Sequence, residues 1–141
     1  MTAISHVGIC VSDLERSACF YKGALGFKLE YYVEVGSPFG VLTELLDLQC
    51  RAGFFTKDGL RIELLGYTSP DVVGEPQRRP MNQLGITHLS LIVDDIDAMA
   101  ARITVFGGRV CAETKVATPK GQFMFCTDPD GVRIELWERA K

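Results

Sequence analysis

The sequence predicts an α+β fold made of two tandem βαβββ modules, because two separate stretches of the chain recur in the same order. Residues 4–27 (ISHVGICVSDLERSACFYKGALGF) align with residues 86–109 (ITHLSLIVDDIDAMAARITVFGGR). Residues 58–64 (DGLRIEL) align with residues 130–136 (DGVRIEL). A single match of this kind can arise by chance, but two matches in the same order indicate a duplicated module.

Each module opens with a predicted strand in which every second residue is apolar, and the positions between them begin with a His and then a Gly or Ser. The apolar positions are Val7, Ile9 and Val11 in the first copy and Leu89, Leu91 and Val93 in the second. The opposite positions are His6, Gly8 and Cys10, and His88, Ser90 and Ile92. Such alternation is typical of a strand with one buried face. We expect a helix to cover the apolar face and a ligand site to lie on the opposite, roomier face.

A helix follows each opening strand. Asp13 and Asp95 stand where an N-cap residue is expected, and apolar residues follow them at helical spacing. Gly26 and the Gly107–Gly108 pair are placed to end the two helices. The rest of each module is rich in β-forming residues and closes on an Asp-Gly turn and its strand. The helices are therefore expected on the outer face of a mixed sheet.

The domain organisation follows from the repeat. Modules 3–66 and 84–138 are predicted to form a single domain, 1–141, joined by a linker at 67–83. That linker (YTSPDVVGEPQRRPMNQ) holds three prolines and few apolar residues. It is long enough to place the two modules of one chain together or to exchange them between two chains.

Composition excludes several classes of function. Fifteen Lys and Arg against eighteen Asp and Glu give a net charge of −3, so a nucleic-acid partner is not expected. No apolar run approaches the 18 or so residues of a membrane span, and the first residues do not resemble a secretion signal. The five cysteines lack a C-x-x-C pair and are expected to be reduced and mostly buried. A cytoplasmic protein without a membrane partner is the expectation.

Four residues stand at equivalent positions of the two modules: His6 and His88, the chain's two histidines, and Glu63 and Glu135. Imidazole and carboxylate together suit one divalent metal such as Zn, Ni, Co, Mn or Fe. The alternative is structural, since a strand His is often an ordinary core or surface residue, and either Glu can pair with Arg61 or Arg133. Repetition of the only histidines favours a metal site.

These motifs resemble the vicinal oxygen chelate superfamily, which includes glyoxalase I, methylmalonyl-CoA epimerase, extradiol dioxygenases and bleomycin-resistance proteins. The resemblance covers about residues 3–138 and implies paired βαβββ modules that form a cupped mixed β-sheet around a metal site. It also implies a homodimer and a small-molecule substrate. The family's metal ligands match His6, Glu63, His88 and Glu135.

The resemblance implies a metal-dependent lyase or isomerase that removes a proton next to a carbonyl, as glyoxalase I and the epimerase do. Glu135 and Glu63 are then both ligands and candidate bases. Two other functions stay open: an extradiol-type Fe(II) dioxygenase, which a second carboxylate ligand disfavours, and a non-catalytic protein that binds an aromatic drug, which an intact ligand set disfavours.

Two further features bear on the substrate. Glu44 lies upstream of Glu63 at about the spacing of the epimerase's proton-transfer glutamate, so it is a third candidate catalytic residue; otherwise it is a solvent-facing charge on an amphipathic strand. Arg78 and Arg79 in the linker are able to hold a phosphate or carboxylate, although exposed arginine pairs often have no specific partner.

Overall fold

The computed structural model describes residues 1–141, which divide into two compact units, Met1–Gly74 and Glu75–Lys141. The first unit contains β1 (Val7–Val11), α1 (Leu14–Gly23), β2 (Lys28–Val35), α2 (Phe39–Thr43), β3 (Gln49–Lys57) and β4 (Leu60–Ser69). The second contains β5 (His88–Val93), α3 (Ile96–Val105), β6 (Arg109–Thr118), β7 (Gly121–Thr127) and β8 (Arg133–Arg139). The predicted α+β fold with tandem βαβββ modules is confirmed.

Each unit forms a four-stranded mixed sheet with the same topology. The strand orders are β1-β4-β3-β2 and β5-β8-β7-β6. The first and last strands of each unit are parallel neighbours, and the other pairs are antiparallel. Because the first strand lies directly beside the last, residues from both ends of each module come together at one edge of its sheet.

The predicted helix signals act as expected. The Asp13 carboxylate accepts a hydrogen bond from the Arg16 amide at 2.9 Å, and Asp95 accepts one from the Ala98 amide at 2.8 Å. Each carboxylate satisfies a backbone N–H that has no partner within the helix. After the helices, Gly26 and Gly107 adopt φ values of 77° and 88°, a left-handed conformation that favours glycine.

In both units the core lies between the helix and one face of the sheet. Tyr21 of α1 is fully buried together with Phe55, Ile62 and Leu64 of the sheet, and Ile103 of α3 is buried with Ile134 and Leu136. Burial of each large apolar side chain contributes about 1.5–3 kcal/mol. Alternate residues of β4 and β8 therefore face the helix, which leaves Glu63 and Glu135 on the opposite face.

Two details differ from the sequence predictions. The segment around Glu44 is not a strand: the five-residue helix α2 precedes Glu44, which has a left-handed φ of 58°. Strand β4 continues through Ser69, three residues into the predicted linker. The cysteines are mostly buried, as predicted: Cys50, Cys111 and Cys126 are buried, Cys10 and Cys19 are exposed, and all five are free thiols. None of the three helices is long and apolar enough to cross a membrane.

Candidate metal centre

The register of the parallel strand pairs brings one histidine next to one glutamate in each unit. Gly8 lies opposite Glu63, and Ser90 lies opposite Glu135. His6 precedes Gly8 by two positions, and His88 precedes Ser90 by two positions. Because alternate residues of a strand point to the same face, each histidine shares a face with the glutamate of its unit, and that face is directed away from the helix. His6 immediately precedes β1, and His88 is the first residue of β5.

The two His–Glu pairs have similar geometry. Nε2 of His6 lies 3.1 Å from Oε2 of Glu63, and Nε2 of His88 lies 4.0 Å from Oε1 of Glu135. The Glu63 and Glu135 side chains are 16% and 25% exposed, so both are partly withdrawn from water and still accessible to a small ligand. The structure therefore brings one histidine and one glutamate together within each module.

A hydroxyl group contacts the other ring nitrogen of each histidine. Ser5 Oγ lies 2.9 Å from His6 Nδ1, and Thr87 Oγ1 lies 2.8 Å from His88 Nδ1. Metal-binding histidines commonly make a hydrogen bond through their second nitrogen, because that contact fixes the orientation of the ring. These hydroxyls were missed in the sequence, although a Ser or Thr before each His repeats at equivalent positions.

An aromatic ring packs beside each histidine. Phe54 and Phe125 lie directly across from Glu63 and Glu135 in the antiparallel ladders. Their rings approach His6 and His88 edge-on, with centroids 5.2 Å and 5.5 Å apart. The rings limit the movement of the imidazoles and provide an apolar wall next to each carboxylate.

The arginines of the R-I-E-L strands do not neutralise the glutamates. Arg61 pairs with Glu30, with Nε 2.7 Å from Oε2. Arg133 donates two hydrogen bonds to the carbonyl oxygen of Arg79, at 2.9 Å and 2.8 Å. The structural alternative for Glu63 and Glu135, an ion pair with the adjacent arginine, is therefore not what the structure contains.

The donor atoms of each pair fit two neighbouring ligands of one divalent ion. Ligands bound at about 2.0–2.2 Å lie roughly 3.0–3.5 Å from each other, which the first pair matches and the second approaches. In neither unit do three or more His, Cys, Asp or Glu side chains come together in a group able to hold a metal. Each unit thus supplies half of the predicted ligand set.

The two half-sites differ beside the carboxylate. Ser90 Oγ donates a 2.7 Å hydrogen bond to Glu135 Oε1. The equivalent residue in the first unit is Gly8, where a Cβ atom would lie 3.9 Å from Glu63 Oε2. Glu135 is consequently held by a side-chain donor that Glu63 lacks.

Two of the three buried thiols, Cys50 and Cys126, are uncharged. Burial raises the pKa of Cys50 and that of Cys126 to about 11, so both are neutral at pH 7. Burial likewise raises the pKa of Tyr67, and nearby Cys50 adds to that increase. Cys50 and Tyr67 pair across β3 and β4, where they extend the face that carries Glu63.

The remaining candidates form no hydrogen bond or ion pair with the His or Glu of their own unit. Glu44 is exposed at the end of α2. Arg78 Nη2 lies 2.6 Å from Glu113 Oε1, and Arg79 donates to the carbonyl oxygen of Ile86 at 2.7 Å. Both linker arginines therefore have specific partners.

Comparison with solved structures identifies the fold. A crystal structure of a glyoxalase family protein from Bacillus cereus has a TM-score of 0.86 at 24% sequence identity, over 100% of this chain and 96% of that one. A glyoxalase I from Leishmania major has a TM-score of 0.67 at 20% identity, over 98% and 87% of the two chains. The architecture is therefore that of the paired βαβββ proteins.

The family model for the "Glyoxalase/Bleomycin resistance protein/Dioxygenase superfamily" matches residues 3–136. The chain belongs to this family, the vicinal oxygen chelate superfamily. It is 33% identical to the protein YaeR of Escherichia coli over 96% of this chain and 95% of that one. It is 32% identical to an ethylmalonyl-CoA/methylmalonyl-CoA epimerase of Cereibacter sphaeroides, over 94% and 95% of the two chains. Members of the superfamily typically use a divalent metal and bind small-molecule substrates.

Proposed function

We propose that the protein is a divalent-metal-dependent lyase or isomerase that removes a proton next to a carbonyl of a small oxygenated substrate. The observation that carries this proposal is the repetition of one His–Glu pair, with a hydroxyl behind each imidazole, in both units. Similarity to an acyl-CoA epimerase supports the epimerase reaction over the glyoxalase I reaction.

His6, Glu63, His88 and Glu135 are the proposed ligands of one divalent ion. When bound, such an ion supplies Lewis-acid polarisation of substrate oxygens, which lowers the free energy of the negative charge that forms as the proton leaves. Ser5 and Thr87 orient the imidazoles so that each Nε2 is directed at its carboxylate. Zn, Ni, Co, Mn and Fe all accept this mixture of nitrogen and oxygen donors.

The carboxylates are the proposed proton carriers. A glutamate oxygen accepts the proton from the substrate carbon and returns it to the same or a neighbouring atom. The Phe54 and Phe125 rings beside the carboxylates exclude water, which strengthens the electrostatic interactions within the site. Glu44, exposed after α2, stays a proposal as an additional proton carrier, and its position requires the substrate to reach that loop.

Metal analysis tests the ligand set. The protein purified without chelator or affinity-tag metal is expected to hold close to one divalent ion per chain, measured by elemental analysis. His6→Ala and His88→Ala should each lower this content strongly, because each removes a nitrogen ligand. Glu30→Gln is the control, since it removes a carboxylate from the same sheet at the Arg61 ion pair. Unchanged metal content in both histidine variants would contradict the proposed centre.

Two measurements distinguish the candidate reactions: the identity of the bound metal, and the activity of the protein on a set of substrates. Deuterium exchange next to the carbonyl of acyl-CoA epimers is the first assay, and isomerisation of glutathione hemithioacetals is the second. Iron together with oxygen consumption on a catechol would instead favour the dioxygenase. A protein that takes up no metal and binds aromatic compounds would be a non-catalytic binder.

Removal of the Ser90 hydroxyl tests the asymmetry between the two carboxylates. Ser90→Ala is expected to weaken Zn²⁺ or Co²⁺ affinity by about tenfold, because loss of a hydrogen bond to a ligand commonly costs 10–100-fold. Gly8→Ala is the matched control at the equivalent position, where a Cβ fits at 3.6 Å from its nearest neighbour. Competition titration with a chromophoric chelator measures both. Equal affinities in the two variants would show that the hydroxyl does not orient Glu135.

A further inference from the structure

A cavity lies within the second unit, and its lining includes neither His88 nor Glu135. It has a volume of about 330 Å³ and is bounded by the linker, the start of β6 and the turn between β7 and β8. The wall contains two arginines, Arg78 and Arg109. Its volume is at the lower end of the range typical of small-molecule pockets.

The linker wall of this cavity is fixed by specific contacts. Gly131 has a φ of 91°, and a Cβ there would lie 2.3 Å from the backbone carbon of Gln77. The linker backbone therefore packs directly onto the turn before β8. Arg133 adds two hydrogen bonds to the Arg79 carbonyl oxygen. A segment without helix or strand is thus held in place as one side of the pocket.

The charged residues that line the cavity differ in how many hydrogen-bond or ion-pair partners they have within the protein. The Asp128 carboxylate accepts hydrogen bonds from the Asp130 and Val132 amides at 2.9 Å and 2.8 Å, so it is engaged by its own turn. Arg78 pairs with Glu113, whose side chain is 63% exposed and free to move into water. Arg109 is exposed and makes no ion pair. The guanidinium groups of Arg109 and Arg78 are thus available to a ligand, the second by displacement of Glu113.

We propose that this cavity binds the carboxylate or phosphate group of a small molecule, held by Arg109 and by Arg78 once Glu113 has been displaced. Guanidinium groups bind both oxyanions through paired charge-assisted hydrogen bonds. Glu113 acts as an internal competitor in the empty pocket.

Arg109, which lines the cavity, is on the same sheet face as Glu135. Arg109 pairs with Thr127, and Phe125, two residues earlier on β7, pairs with Glu135. Arg109, Thr127 and Glu135 therefore occupy the same face of this sheet. If the proposed function holds, the anion at Arg109 belongs to a substrate whose reacting carbon lies towards Glu135; the binding itself does not depend on that function.

Amide NMR titration in the presence of EDTA tests the pocket without any metal. Inorganic phosphate and propionate are titrated separately at constant ionic strength, so the two arms distinguish phosphate from carboxylate ligands. Saturable shifts are expected for the amides of Arg78, Arg109 and Gly131 with at least one anion. Shifts that rise linearly without saturation, or that spread evenly over exposed arginines, would overturn the proposal.

Four variants at three positions test which side chains bind the anion. Arg109→Gln should weaken binding by about tenfold or more, because it removes a charged hydrogen-bond partner, whereas Arg109→Lys should retain part of the affinity. Glu113→Gln should strengthen binding several-fold, since it frees Arg78 and removes a negative charge. Arg139→Gln, elsewhere on the sheet, should change nothing. A Glu113→Gln variant that binds no better, or an Arg109→Gln variant that binds equally well, would contradict the proposed site, and neither result bears on the metal content.

Discussion

Glu135→Gln is expected to reduce proton exchange next to the substrate carbonyl by at least about 100-fold, which is the lower range for loss of a general base. The amide has the same shape as the carboxylate but cannot accept the proton. It is also a poorer metal ligand, so metal content must be measured on the same sample. The assay is the rate of deuterium incorporation into an acyl-CoA substrate, observed by NMR or mass spectrometry.

Glu63→Gln and Glu44→Gln complete this experiment. Comparison of Glu63→Gln with Glu135→Gln at equal metal loading identifies which carboxylate moves the proton, since the Ser90 hydrogen bond restrains only Glu135. Glu44 is not among the proposed ligands, so Glu44→Gln should retain its metal. Full exchange activity in that variant would remove Glu44 from the mechanism. Full activity in both Glu63→Gln and Glu135→Gln would contradict the proposed chemistry.

The module architecture could be predicted from the sequence because its signals are local and occur twice. The alternation at Val7, Ile9 and Val11, and the N-cap at Asp13, depend on residues only a few positions apart. The repeat then supplied an independent copy of each signal, in which Asp95 caps α3 as Asp13 caps α1. Because these signals have similar spacing in both copies, the βαβββ order follows from the sequence without any tertiary contact.

The His–Glu pairs could be predicted only as a set of residue types. Their proximity within each unit depends on the parallel register that sets Gly8 opposite Glu63, and a strand pattern does not specify register by itself. The hydroxyls of Ser5 and Thr87 carried a usable signal, because each directly precedes a histidine. Repetition at equivalent positions distinguishes such residues from ordinary surface hydroxyls.

Other features depend on tertiary contacts and short-range backbone details that the pattern does not encode. The helix α2 has only five residues and no side-chain cap, so its sequence resembles that of an irregular or extended segment. The partner of Arg78 is Glu113, 35 positions away in the chain. Neither residue has a pattern that indicates the other. The sequence therefore indicated Arg78 as a candidate anion ligand but did not indicate Glu113 or the cavity that both residues line.

Gly131→Ala is expected to be far more destabilising than Gly59→Ala, although the two glycines occupy the same position of the repeated D-G-x-R-I-E-L motif. Both have positive φ, 83° at Gly59 and 91° at Gly131, which costs an L-residue about 1–2 kcal/mol. A Cβ at Gly59 meets nothing within 4 Å, whereas at Gly131 it would lie 2.3 Å from the Gln77 backbone. The linker must then move away from the turn.

Urea unfolding with hydrogen exchange measures this difference unit by unit. Gly59→Ala should lower the free energy of unfolding by about 1–2 kcal/mol, and Gly131→Ala by about 3 kcal/mol or more, because it adds loss of packing to the same backbone strain. The amides of residues 77–79 should also exchange faster in Gly131→Ala alone. Equal destabilisation in both variants would mean that the linker detaches from the turn at little cost. A linker that detaches so easily would not hold Arg78 in position for an anion. Comparison of Gly59→Ala with Gly131→Ala therefore also tests the structural basis of the proposed anion site.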